Sequence, residues 1–118
     1  MGKFSKDKGK RGELEFAHEC QANGIRAYRG AQVAGKACNG TDQAAPDVIT
    51  PEIPVSWEVK RTEALSIYKA MEQCVADAEE GDLPIVSHRR NGEEWLCILR
   101  ASDLLPLLKN YFIGQPIE

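Results

Sequence analysis

The stretch PDVITPEIPVSWEVK, residues 46–60, constrains the fold more than any other part of the chain. Val48, Ile49, Val55, Trp57 and Val59 give it the β-branched and aromatic content of strands, and Pro51 and Pro54 divide it into two short runs. The same runs carry Asp47, Glu58 and Lys60, charges that strand interiors seldom hold. With residues 51–54 as the turn, an antiparallel pair sets Thr50 against Val55, Ile49 against Ser56, Val48 against Trp57 and Asp47 against Glu58. Directly opposed residues share a face, with Cβ atoms roughly 4.5–5.5 Å apart. Lys60 joins that face by the period of two, so two carboxylates and an ammonium are expected together.

Like charges opposed across strands destabilise a sheet, and a cation between them removes the cost. Two carboxylates, a backbone carbonyl and waters suit Mg²⁺, which binds oxygen and keeps part of its hydration shell. The alternative is an exposed strand face on which Lys60 offsets the acids.

Residues 10–22 have a helical pattern that ends at Asn23-Gly24. At 100° per residue Phe16, Ala17 and Cys20 cluster about the direction of Glu13, with Leu14 at the edge, while Glu15, His18 and Glu19 point away. Glu13 is thus a third acid near a metal or a helix-start residue favoured by the dipole. Further elements are expected as strands over 25–29, 47–50 and 55–60, a helix over 64–79 closed by Gly81, and a hairpin of 83–88 with 94–99 about Asn91-Gly92. A last helix would be capped by Ser102 with Pro106 in its first turn. That order, α-β-β-β-α-β-β-α, predicts one α/β domain over 10–118 with a central mixed sheet flanked by helices, after a flexible basic segment 1–9. Residues 30–45 read as a long loop, and with Lys36 it is a candidate to close over a bound ligand.

The net charge of −3 hides a division. Residues 1–62 hold 10 Lys/Arg against 8 Asp/Glu, and residues 63–118 hold 5 against 10. The early excess is a solvated tail or a phosphate-binding footprint, in which Lys8, Lys10, Arg11, Arg29, Lys36 and Arg61 are the candidate DNA contacts. Cys20, Cys38, Cys74 and Cys97 lack CxxC spacing, so reduced thiols in a cytoplasmic protein are expected. No apolar run approaches the roughly 20 residues of a membrane span, so no membrane partner is expected. Three carboxylates and a lysine beside basic residues describe metal-assisted phosphodiester hydrolysis. His18 reads as a surface residue, His88 as a strand-end residue, and no nucleophile–base pair stands out.

With Pro46-Asp47 and Glu58-Val59-Lys60 in place, the chain resembles the PD-(D/E)XK nuclease superfamily. KGKRGELEF at 8–16, GIRAYRG at 24–30, PDVI at 46–49 and WEVKRTE at 57–63 are similar to archaeal-type and phage Holliday junction resolvases. The resemblance implies a restriction-endonuclease-like fold and a prokaryotic or phage-encoded, Mg²⁺-dependent endonuclease, with Mn²⁺ as a substitute, acting on branched or duplex DNA as a homodimer. It implies Asp47, Glu58, Glu13 and the Val59 carbonyl as metal ligands, Lys60 as the catalytic lysine, and Arg29 as a DNA contact near the site. The long 30–45 loop departs from the short Ser/Gly turn usual after that arginine. The same chemistry on flaps, forks or nicked duplex, or a catalytically silent DNA-binding module, are the competing functions. Leu104, Leu105, Leu107, Leu108, Tyr111, Phe112 and Ile113 either complete the core or form a dimer surface.

Overall fold

The computed structural model describes residues 2–30 and 46–114, with side chains from residue 9 onward. The elements follow the expected order: α1 (Gly2–Ala22), β1 (Tyr28–Arg29), β2 (Val48–Ile49), β3 (Val55–Arg61), α2 (Ile67–Asp77), β4 (Leu83–Arg89), β5 (Leu96–Ile98) and α3 (Ala101–Leu108). A single wider π-type turn, Lys109–Ile113, extends α3. The fold is α/β. The 30–45 loop, including Lys36 and Cys38, lies outside the described residues apart from Gly30.

Several boundaries differ from expectation. The helix begins at Gly2, so it takes in most of a segment expected to precede it. The last helix is capped by Arg100 and not Ser102, and Pro106 falls inside it. Asp103 explains the earlier start, because its carboxylate takes Arg100 Nε at 2.9 Å and sits in the first turn, where a negative charge meets the helix dipole.

The sheet is not continuous. β1 and β2 form an antiparallel pair, with Tyr28 beside Ile49 and Arg29 beside Val48. The main sheet has the order β3-β4-β5, with β3 parallel to β4 and β5 antiparallel to β4. The expected β2–β3 ladder is replaced by one backbone bond, from Asp47 N–H to the Trp57 carbonyl at 3.2 Å. That bond is one residue off the Asp47–Glu58 opposition. Pro51 and Pro54 lack N–H donors, and the Thr50 carbonyl is taken by Ile53 N–H at 3.1 Å, so the turn leaves β2 free to pair with β1. The hairpin about Asn91-Gly92 forms, with Gly92 at φ +77° and His88 registered on Leu96.

Strand alternation makes β3 a two-faced element. On one face Trp57 meets Phe16 of α1 with ring centroids 4.8 Å apart, and Trp95 meets Phe16 at 5.1 Å. Ala17, Cys20, Val48 and Ile85 complete that core. Trp57 Nε1 donates to Thr50 Oγ1 at 3.0 Å, so the buried indole keeps a partner. On the other face Ala70, Met71 and Cys74 of α2 pack on Val86, the β4 neighbour of Glu58. Cys20, Cys74 and Cys97 are free thiols. Among the described residues no helix is long and apolar enough to cross a membrane.

Candidate active site

Asp47 is placed by three bonds. Its N–H goes to the Trp57 carbonyl, its carbonyl takes Gly30 N–H at 2.9 Å, and its Oδ2 accepts Val59 N–H at 2.8 Å. Gly30 is required for that approach, because a Cβ there would run into the Pro46 carbonyl. A strand residue directs its N–H and C=O to the same side, so the Val59 carbonyl shares the edge that faces Asp47.

Glu58 and Lys60 stand on the α2 face of β3, with Lys60 Nζ 3.3 Å from Glu58 Oε2. Asp47 feels both of them and Glu13 as well. Burial is the main cause that pushes its carboxyl up to about 7; Glu58 and Glu13 add to the rise, and the Val59 N–H and Lys60 oppose it. The buried Cys74 thiol of α2 accompanies the cluster, donating to the Ser56 carbonyl at 3.4 Å. Burial pushes it up to about 11, with Glu58 and Asp47 contributing, so it stays a thiol.

Glu13 is half-buried, as its place on the apolar stripe of α1 implies. Its Oε1 takes Arg29 Nε at 3.0 Å, and that pair is well shielded, with side chains 15% and 21% exposed for Arg29 and Glu13. Arg29, expected as a DNA contact, is therefore the partner of Glu13. Lys10 and Arg11 are exposed on α1, and the side chains of Lys8 and Lys36 lie outside the described residues. Arg61 is mostly enclosed and bonds Glu15 Oε1 from Nε at 3.2 Å. Among the described residues no three Asp, Glu, His or Cys side chains converge tightly enough to cage an ion by themselves. The oxygen donors present are two carboxylates, Glu13 beyond them, and a backbone carbonyl, a set that suits a cation keeping several waters.

The sequence profile of a family described as "phage putative PDDEXK endonuclease" matches residues 4–115. The chain belongs to that family. This family member has the α/β fold of the superfamily, and its nuclease family makes DNA the substrate class. No curated protein and no solved structure matches it significantly.

The pairing of Glu15 with Arg89 was not legible in the periodicity. Glu15, expected to point away from the sheet, holds Arg61 and also Arg89 Nη1 at 2.8 Å. The signal that could have found it is the pair of basic residues at the ends of successive strands, Arg61 and Arg89.

Proposed function

We propose that this endonuclease hydrolyses phosphodiester bonds with a divalent cation, Mg²⁺ or Mn²⁺, held by Asp47, Glu58 and the Val59 carbonyl, with Glu13 behind them. The observation that carries this reading is the gathering of Asp47 against β3, where it feels Glu58 and Lys60 in a half-buried setting. A bound divalent cation supplies Lewis acidity and a water of lowered pKa. Val59 N–H fixes the Asp47 carboxylate, and Glu58 fixes the Lys60 ammonium. Lys60 is then positioned to donate to the attacking water or to the phosphate as charge builds. Water adds to phosphorus and gives up a proton to solvent, the P–O ester bond breaks, and the departing oxygen takes up a proton from solvent.

The proposed substrate is a four-way DNA junction cut by a two-fold dimer. Support comes from the four segments that resemble junction resolvases and from the C-terminal arm, where Leu105, Leu107, Leu108, Tyr111, Phe112 and Ile113 are all exposed. Beside the start of α3 lies an apolar groove of about 530 Å³ lined by Ile67, Met71, Val75, Ile98 and Leu99. An exposed apolar arm and an apolar groove on one chain suit reciprocal exchange with a second copy.

The test is cleavage of a labelled four-way junction against linear duplex and flap DNA, with Mg²⁺ or EDTA, by wild type and Asp47→Ala. Paired symmetric nicks confined to the junction, lost with EDTA and in the variant, are expected. Cutting of flaps or duplex moves the substrate, and binding without cutting overturns the catalytic reading.

A further inference from the structure

The parallel register of β3 and β4 sets Arg61 directly beside Arg89. Like charges abreast destabilise a sheet. The fold places Glu15 between them, and its Oε1 takes Arg61 Nε at 3.2 Å and Arg89 Nη1 at 2.8 Å. One carboxylate shared by two guanidiniums leaves a positive charge over, and Arg11 on the same rim adds another.

The Arg61 side chain is only 13% exposed. Its Nη1 is buried and has no hydrogen-bond partner among the described residues. A buried charged donor without an acceptor is costly and calls for a missing one. α1 crosses the stem of Arg61 closely, so that a Cβ on Gly12 would lie 2.6 Å from Arg61 Cβ. Arg11, Glu15, Arg61 and Asn91 line a cleft of about 280 Å³, far more than one water needs. Asn91 is held at its lip by its backbone N–H, which donates to Glu63 Oε2 at 2.8 Å. Planar guanidinium forks suit phosphate oxygens.

We propose that Arg11, Arg61 and Asn91, with Arg89 joined to them through Glu15, form a pocket for an internal phosphodiester of the DNA strand, distinct from the phosphate that is cleaved. The assignment rests on the nuclease reading above. Two separate phosphates follow from strand alternation, since Lys60 and Arg61 project from opposite faces of β3. Charge along the strand sets the approach. The other end of β3 borders a cleft lined by Glu52, Asp77, Glu79 and Asp82, which repels a polyanion.

The test is fluorescence anisotropy of a labelled duplex with the full chain in EDTA, over a series of salt concentrations. Wild type, Arg11→Gln, Arg89→Gln and the control Arg100→Gln are compared, with thermal denaturation confirming that each is folded. Each pocket variant is expected to weaken binding and to make the slope of log K against log salt shallower by about 1, as for one lost phosphate contact. Arg100→Gln keeps the wild-type slope. Arg11 is exposed, so its variant carries the test if Arg89→Gln does not fold. Wild-type slopes in the folded pocket variants overturn the pocket and leave the nuclease reading standing; no DNA binding by wild type overturns both. Duplexes with 5′-phosphate and 5′-hydroxyl ends are expected to bind equally. A preference for the 5′-phosphate that the variants abolish overturns the internal assignment in favour of a strand end.

Discussion

Asp47 binds its proton more tightly in the folded chain than a free carboxyl does, titrating at about 7 in place of 3.8. The stability tied to that proton is fully present below about pH 4 and is lost as pH rises through about 7. The loss amounts to up to about 4 kcal/mol at pH 8. Asp47→Asn removes the titration and can still accept Val59 N–H, so in EDTA the variant should gain stability over wild type as pH climbs from 4 to 8. Millimolar Mg²⁺ should then raise the wild-type melting temperature at pH 8 and leave Asp47→Asn unmoved, because a ligand of the native state alone stabilises it. Calorimetry across pH with and without the cation checks both, and parallel melting curves for the two proteins would sink the idea. At this scale the grouping of Glu58 and Lys60 on one face of β3, with Asp47 against its edge, could be read from the order of residues, because the period of two sets alternate charges together. The partners of Glu13 and Glu15 could not. A helical wheel tells which way a side chain points but not which arginine of another strand waits there.

Among elements, β3 does most of the positioning: its odd residues meet α1, its even residues carry Glu58 and Lys60, and its edge receives Asp47. The order of elements was legible because hydrophobic periods and turn residues are local. The pairing of β2 was not, because the choice of β1 over β3 depends on backbone donors distant in the chain. Close backbone approach is the element-level device that fits β1 and β2 together, and it is tested with two glycines. Gly30→Ala forces a methyl against the Pro46 carbonyl and should destabilise by about 1–3 kcal/mol while lowering cleavage. Gly9→Ala lies in α1 with nothing within 4 Å and should stabilise by about 0.5–1 kcal/mol without loss of activity. Urea denaturation of both variants decides, and equal midpoints would show that the Gly30 contact is slack.

For the whole molecule, the arm formed by α3 and its π-type turn buries none of its residues. Leu105→Glu with Leu108→Glu should convert a dimer to a monomer in sedimentation velocity while leaving the melting of the core within about 0.5 kcal/mol, the usual range for exposed positions. A monomeric wild type would remove the arm's proposed purpose. The sequence showed an excess of apolar residues at this end but not whether they turn inward, since the same leucines serve a core or an interface.

The clasp of Glu15 on Arg89 joins residues 74 positions apart. Closing so long a loop is entropically unfavourable until the intervening sheet exists, and the parallel pairing of β3 with β4 is itself non-local. Without β4 the clasp has only two of its three members, because Arg89 is the last residue of that strand and Glu15 is left with Arg61 alone.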